Sequence, residues 1–472
     1  MADVEVVRVA GRQTSDTIAA IATPPGIGGI GIIRISGPGA LFILRRLFRP
    51  YKTHQTFNSH TLYFGTVTNR DGRVLDEVLA VYMRSPNTYT REDVVELQSH
   101  GSYLVLNAIL AEVLHNGARP AEPGEFTKRA FLAGRIDLTQ AEAVIDLLQA
   151  KTDTGLELAI GQLQGEMYRR VEKIRDALVN ILAVLEVAID FPDDEVELVD
   201  HHHMVVQISD QVEKPLAELI GLSERGKIIR EGIQLVIAGL PNVGKSSLLN
   251  ALLREERALV TPVPGTTRDT IEECIAINGV PVRLVDTAGI REHAESVEEM
   301  GIQRARQKMR EADLVLFLVD ASSPLIEQDK QLYDSIGDIK RIVVLNKMDI
   351  AGREVVDSLE KIYSGDRIVR ISARHHQGLT DLQDVIYTSI VGENSLLSER
   401  CSCAPNIRHR TVLEQSLAAV RRLREGFQTG GVTADLAALE VQTALDYLGD
   451  IVGLTTADDV LDRIFAEFCI GK

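Results

Sequence analysis

Apolar residues fall into two rhythms along this chain, and the change of rhythm divides it. From about residue 16 to 129 they come in short runs, at 30–35, 61–67 and 78–83, set apart by Pro24-Pro25-Gly26, Gly28-Gly29 and Ser36-Gly37-Pro38-Gly39. Short β-rich runs bounded by Gly and Pro predict strands, so residues 1–130 are expected to be a separate N-terminal α/β domain. Residues 137–190 lose glycine and gain a helical period, with Ile145 and Leu148, then Leu178, Ile181, Leu182, Leu185 and Ala188 at steps of three and four. That spacing predicts long amphipathic helices. The pattern stops at Phe191-Pro192-Asp193-Asp194-Glu195, resumes over about 204–229, and gives way to an apolar strand at 233–238. Strands and helices alternate to about residue 390, after which helix is expected at 410–447 and 457–468. Neither flanking helical set is long enough to bury its own apolar face. The reading is therefore one helical domain, residues 131–229 and 393–472, interrupted by an inserted P-loop α/β domain at 230–392. The fold class is multidomain α/β plus all-α.

Composition narrows the partners. The chain has 472 residues, 45% of them hydrophobic, with a mean hydropathy near zero, which fits a soluble protein of about three domains. No run approaches the roughly 18 apolar residues of a membrane span, and the Met1-Ala2-Asp3-Val4-Glu5 start lacks a signal-peptide pattern. A cytoplasmic location without membrane contact is expected. The four cysteines, Cys274, Cys401, Cys403 and Cys469, give neither a disulfide framework nor a C-x-x-C zinc spacing. A net charge of −17 argues against broad nucleic-acid binding but leaves room for a local basic patch. Trp is absent and aromatics are 4%, which disfavours a single-strand stacking platform.

Gly239-Leu240-Pro241-Asn242-Val243-Gly244-Lys245-Ser246 matches G-x-x-x-x-G-K-[ST], between a predicted strand and the helix-like segment that begins with Ser247. Its glycines let backbone N–H groups curl round phosphate oxygens, Lys245 brings charge to the outer phosphates, and the Ser246 hydroxyl is suited to magnesium. Asp286-Thr287-Ala288-Gly289 ends a strand, where a carboxylate can hold magnesium through water and the Gly289 N–H can sense the terminal phosphate. Upstream, Thr267 in Gly265-Thr266-Thr267-Arg268 is expected to give magnesium a second hydroxyl. Asn346-Lys347-Met348-Asp349 argues for guanine: the Asp349 carboxylate can accept from the ring N–H and the exocyclic amine, which adenine lacks there. Ser372-Ala373 would add a backbone donor. Four ordered motifs on predicted strand ends imply a magnesium-dependent GTPase that holds GTP and then GDP. Ile290 stands where Ras-like enzymes place a water-orienting Gln, leaving Glu292, Glu295, Glu298 and Glu299 either as water-positioning groups or as a solvated helix face. Asn242 is either loop filler or a ligand of a second, monovalent cation. His201-His202-His203 reads as a solvated loop rather than a metal site, since adjacent helical residues share no face. Cys401-x-Cys403 reads as ordinary loop, and Cys469 as a small buried residue in a terminal helix.

Taken together, residues 239–247, Gly265-Thr266-Thr267-Arg268-Asp269, Asp286-Thr287-Ala288-Gly289 and the tail Phe468-Cys469-Ile470-Gly471-Lys472 resemble the MnmE (TrmE) family of tRNA-modification GTPases. Ala22-Thr23-Pro24-Pro25-Gly26, Arg34-Ile35-Ser36-Gly37, Glu96-Leu97-Gln98, Pro123-Gly124-Glu125-Phe126-Thr127, residues 137–143 and residues 188–192 extend the resemblance from about Asp16 to Lys472. It implies a homodimer joined through the N-terminal domain, which would bind a formyl- or methylene-tetrahydrofolate at Arg34, Glu96, Arg135 and Lys472. It also implies potassium-stimulated pairing of G domains. Asn242, Thr261, Val263 and Thr266 would hold potassium, Pro262 would lie in the same nucleotide-contacting loop, and Glu298 would orient the attacking water. Arg135 departs from a lysine expected in some members, and Arg and Lys differ in geometry. Cys469 is implied as a nucleophile or positioning group. The partners implied are tRNA, modified at carbon five of the wobble uridine with an aminomethyl or carboxymethylaminomethyl group, and an FAD-dependent flavoprotein, MnmG (GidA), in a heterotetramer. Two rivals, a ribosome-assembly RNA-binding GTPase of the Era or EngA type and a dynamin-like scaffold, account for the middle of the chain and for neither end.

Overall fold

The computed structural model describes residues 16–52, 56–190, 200–255, 273–286, 310–392 and 402–472. The chain forms two compact units, one from Met1–Ile145, Gln162–Leu216 and Thr411–Lys472, the other from Asp146–Gly161 and Ala217–Arg410.

The first unit opens with β1 (Ile18–Ile21), β2 (Gly28–Ser36), β3 (Phe48–Pro50), β4 (Thr61–Thr68), β5 (Val74–Met83), β6 (Val94–Gly101) and β7 (Arg119–Pro120). They form one sheet in the order β3-β4-β5-β6-β2-β1-β7. Period-two alternation gives each strand one buried face. Ile33, Ile35, Val78, Ala80 and Leu97 pack under the helices Ala40–Leu47 and Tyr103–His115, which contribute Ile43, Leu44, Ile109 and Val113. The opposite face leaves Leu62 and Phe64 more than half exposed, across from Val81 and Leu79 in the β4–β5 register.

The helical part of this unit rests on the long helix Glu166–Asp190, where Val171, Ile174, Leu178, Ile181 and Leu185 are buried at steps of three and four. It packs against Ala434–Val452, whose Ala437, Val441, Ala444 and Leu448 keep the same period. Each fully buried Leu or Ile contributes about 1.5–3 kcal/mol. The helix expected over 410–447 is two helices, Ile407–Thr429 and Ala434–Val452, because Gly430 takes a left-handed φ of 65° between them. His201-His202-His203 does not form a loop. It opens the helix His201–Ile208, whose N-cap Asp200 accepts from the backbone N–H of His202 and His203 at 2.9 and 3.1 Å.

In the second unit, β8 (Ile233–Ala238), β9 (Glu273–Ile277), β10 (Val280–Asp286), β11 (Leu314–Asp320), β12 (Arg341–Asn346) and β13 (Arg367–Arg370) form a sheet ordered β13-β12-β11-β8-β10-β9. Its strands run parallel except β9, which forms a hairpin with β10. Both faces are covered, so β11 is a continuous apolar run with Leu314 to Val319 all buried. Leu235, Ile237, Leu316 and Leu318 meet Leu248, Leu252, Leu382 and Ile386 on one side. Val236, Phe317, Val343 and Leu345 meet Leu359 and Tyr363 on the other. Because β8 lies between β10 and β11, connections leave it in both directions, and the crevice beyond its carboxyl end is where such sheets bind ligands. Among the described residues, no helix is long and apolar enough to cross a membrane.

Candidate functional site

The parallel strands of the second unit deliver their C-terminal residues to one edge: Ala238 from β8, Asp286 from β10, Asp320 from β11 and Asn346 from β12. From Ala238 the chain turns through residues 239–244 into the eleven-residue helix Lys245–Glu255. Asn242 is exposed at the tip with a left-handed φ of 64°, a conformation that a short polar side chain tolerates. Gly244 has a φ of 104°, and a Cβ there would stand 2.3 Å from Asn346 Nδ2. Only glycine lets this loop lie against β12. Val243 anchors the turn by burying its side chain, while Ser246 and Ser247 stay exposed in the first helical turn, whose N–H groups and dipole favour an anion. Lys245 Nζ donates to the carbonyls of Gly239 and Leu240 at 3.1 and 2.8 Å, which holds the ammonium over the loop.

Asn346 is the tie-bar. Its buried side chain donates to the Val243 carbonyl at 2.8 Å and accepts the Ala373 N–H at 3.0 Å, coupling the phosphate loop to the Ser372-Ala373 loop. Lys347, at a φ of 65°, puts its Nζ 2.5 Å from Asp320 Oδ2. Burial alone would raise the Asp320 pKa, but Lys347 and the Ser322 hydroxyl outweigh it and hold the carboxyl below its usual value. Asp349 Oδ1 accepts from the Ser372 hydroxyl at 2.6 Å, and His375 Nε2 stands 3.6 Å from Oδ2. The Ser372 hydrogen bond keeps the Asp349 carboxyl below the usual range, so it stays an ionised acceptor to lower pH than an ordinary carboxylate does. Asn242, Val243, Gly244, Lys245, Ser246, Ser247, Asn346, Lys347, Asp349, Ser372 and Ala373 therefore share one edge. Asp286 ends β10 in register with Ile237 of β8. Thr261, Pro262, Val263, Thr266, Thr267, Thr287, Ala288, Gly289 and Glu298 lie outside the described residues.

A second polar cluster belongs to the first unit. Arg34 on β2 faces Glu96 on β6 in register, with Nε 2.9 Å from Oε1. The same guanidinium reaches the Gly471 carbonyl at 3.4 Å and lies 5.7 Å from the centroid of the buried Phe126 ring. The chain terminus is held there, since the Phe126 N–H donates to the Lys472 carbonyl at 3.1 Å and the Gly124 N–H to that of Cys469 at 3.4 Å. Arg135 comes in through Tyr89, its guanidinium 4.8 Å from that ring, which packs against the cluster containing Phe126. Cys469 is exposed and follows the terminal helix Asp458–Ala466, so it is not the buried helical residue expected. Behind the cluster, buried Arg129 pairs with Asp16, Glu92 and Glu125 at 2.9–3.0 Å. Burial would raise the Glu125 pKa, yet Arg119 and Arg129 bring it below its usual value.

The MnmE helical domain model matches residues 138–469, and the model for the GTP-binding protein TrmE N-terminus matches residues 17–135. The chain belongs to the MnmE family. It is 51% identical to the tRNA modification GTPase MnmE of Desulfotalea psychrophila, over 97% of this chain and 98% of that one. It is 45% identical to the protein of that name from Natranaerobius thermophilus (98% and 100% covered) and 44% identical to that from Aquifex aeolicus (97% and 100%). Among solved structures, the G domain of the T. maritima FeoB iron transporter is similar, with 28% identity, 33% of this chain and 98% of that chain covered, and a TM-score of 0.26. MnmE membership spans both clusters, whereas the assembly-GTPase and scaffold readings left the chain's ends unexplained. Sequence reasoning missed Asp320, Phe126 and the Gly471 carbonyl. The first carries a signal, an Asp closing an apolar run. The other two act through a buried ring and a backbone atom, which no spacing reveals.

Proposed function

We infer that the edge of the second unit's sheet binds GTP and hydrolyses it, and that this chain acts as a tRNA modification GTPase. The observation that best supports this is the Asn346 tie-bar, which holds the phosphate loop and the Asp349–Ser372 base-recognition pair in one rigid site. Asp349 accepts from the guanine ring N–H and amine, the Ala373 loop lies beside the base, and Lys245 with the first helical turn takes the outer phosphates. Ser246, exposed in that turn, and Thr267 would hold magnesium, with Asp286 at the neighbouring strand end. Held there, the metal would supply charge neutralisation to the outer phosphates. Asn242, displayed at the loop tip, would hold potassium with Thr261, Val263 and Thr266, while Glu298 would orient the attacking water.

In the first unit, Arg34, Glu96, Phe126, Arg135 and the Lys472 terminus fit a tetrahydrofolate derivative. A carboxylate suits the pterin N–H edge, cations suit the glutamate tail, and an aromatic wall suits the ring. Exposed Leu62, Phe64 and Leu79 on the outer sheet face support a homodimer. Cys469, exposed beside this cluster, would act in the modification of the tRNA wobble uridine, carried out in the cytoplasm with the flavoprotein MnmG, whose FAD belongs to that partner. GTP hydrolysis would drive movement rather than supply the new bond.

The test is GTP hydrolysis by the full chain in matched potassium and sodium buffers, repeated with Asn242→Ala. Faster turnover in potassium that the substitution abolishes supports the cation-dependent reading. A rate indifferent to the cation removes Asn242, Thr261, Val263 and Thr266 from catalysis and leaves a GTPase activated some other way.

A further inference from the structure

We propose that one end of the N-terminal sheet, carrying Arg45, Arg46, Arg49, Lys52, Arg70 and Arg73, docks the phosphate backbone of a structured RNA; this rests on the reading that tRNA is the substrate. The full chain carries a net charge of −17, yet residues 40–75 hold these six cations against one carboxylate, Asp71. Three segments bring them together. Arg45 and Arg46 sit in the last turn of the helix Ala40–Leu47, Arg49 on the edge strand β3 with Lys52 just beyond it, and Arg70 and Arg73 on the turn between β4 and β5. The β3–β4 register pairs Phe48 with Val67, and the Thr68 hydroxyl donates to the Leu47 carbonyl at 3.5 Å, which sets that turn beside the helix end.

All six side chains are exposed, and among the described residues none of them is ion-paired with a carboxylate. Asp71 instead accepts from Asn69 Nδ2 at 3.2 Å, and Glu77 from the Tyr51 hydroxyl. This contrasts with the helix Ile407–Thr429, where Arg421, Arg422 and Arg424 all pair with Glu213 or Glu440. Helix-end chemistry accounts for part of the patch, since Arg49 Nη1 donates to the Arg45 and Phe48 carbonyls at 3.1 and 3.2 Å. It does not account for Lys52, Arg70 or Arg73, which sit on other elements and, among the described residues, make no hydrogen bond to that helix's carbonyls. Arg46 lies 5.7 Å from the ring of exposed Phe42, which steadies its guanidinium in the open.

The chemistry favours a polyanion read by charge. In an acidic protein such a patch supplies the local field, because acids more than about 8 Å away are screened at physiological salt. A lipid surface fits less well. The helix's apolar residues Ile43, Leu44 and Leu47 are buried in the core, leaving Phe42 as the apolar group it has to insert.

The experiment measures binding of a tRNA transcript to the full chain by fluorescence anisotropy from 50 to 300 mM KCl, for the parent and for Arg46→Gln/Arg70→Gln/Arg73→Gln. Arg49 is kept because it closes the helix. Removing one cation from a phosphate flattens the log–log salt slope by about 0.7–0.9, so the triple variant is expected to lose about 2.1–2.7 in slope and about ten- to a hundredfold in affinity near 100 mM salt. A control with equal charge loss, Lys330→Gln/Arg353→Gln/Lys361→Gln, is expected to bind tRNA as the parent does, and all variants to keep the parent's basal GTP hydrolysis. A triple variant with the parent's slope and affinity overturns the docking surface while the tRNA reading stands. A parent that does not bind tRNA at 50 mM salt overturns both. Loss of binding to phosphatidylserine vesicles with tRNA binding unchanged overturns the RNA surface in favour of a membrane.

Discussion

The two polar clusters of this molecule are built in opposite ways. Around the phosphate loop the ties are ladder-like: Asn346 to Val243, Ala373 to Asn346, Ser372 to Asp349 and Lys347 to Asp320 all join the ends of parallel strands in one sheet. In the N-terminal unit the decisive ties join residues more than 300 positions apart, Arg34 to Gly471 and Lys128 to Asp462, so the site beside the sheet is closed by a segment distant in sequence. A site at a sheet edge inherits its geometry from strand pairing. A site closed by a returning terminus depends on a few interactions that hold the tail.

That difference can be broken from either side. The largest expected effect is on the N-terminal support: Arg129→Met removes the buried cation that Glu92, Glu125 and Asp16 share and leaves Arg119 on Glu125 and Asp16, a loss at the lower end of about 3–5 kcal/mol. Urea unfolding is expected to show an early transition in the variant, with GTP affinity unchanged. A single parental transition would show that the network is not what holds helix Glu125–Leu132. Next comes Asp349→Asn, which replaces an acceptor for the guanine amine with an amide that can donate to a carbonyl. Preference is expected to move from GTP towards XTP by about a hundredfold in nucleotide competition, and unaltered GTP preference would remove Asp349 from base recognition. Third is Gly471→Ala. With a φ of 94° and a new Cβ 2.5 Å from the Ile21 carbonyl, the tail must shift away from Arg34. Affinity for 5-formyl-tetrahydrofolate is expected to fall about tenfold by fluorescence titration, with nucleotide binding intact. Unchanged folate affinity would place the ligand elsewhere.

The same contrast decides what could be read in the sequence. Gly244, Lys245, Asn346 and Asp349 were legible because a strand-end motif fixes its own local backbone, and the Gly244–Asn346 approach is written into the requirement for glycine. The inserted sheet was legible too, since buried parallel strands such as β11 are unbroken apolar runs. Arg34, Glu96, Arg135 and Lys472 came from resemblance alone, because a period-two strand does not say which residue crosses to which. The buried ring of Phe126 and the carbonyl of Gly471 leave no polar pattern at all. Helix ends were misjudged for local reasons: Asp200 starts a helix at His201 that hydrophobic spacing delays to 204, and Gly430 cuts one that spacing joins.

The smallest expected effect tests how far the sheet-edge site is preorganised. Ser372 donates to Asp349 Oδ1 at 2.6 Å, and this hydrogen bond is the main reason the carboxyl titrates below its usual value. A depressed pKa means that the ionised acceptor persists as pH falls, and that guanine recognition is lost only when pH drops through the depressed value. In Ser372→Ala the carboxyl returns towards the ordinary range, so the acid limb of GTP binding is expected to move to higher pH. At pH 7.5 Asp349 stays ionised in both proteins, and only its positioning suffers, a few-fold loss of affinity. Fluorescent GDP titrated from pH 7.5 downwards, within the range where both proteins stay folded, separates the two contributions. A few-fold loss at pH 7.5 with an unmoved acid limb would mean that Ser372 positions Asp349 without setting its charge. A shifted limb with no loss at pH 7.5 would mean that strand pairing alone aims the carboxylate, the stronger form of the argument that this site takes its geometry from the sheet.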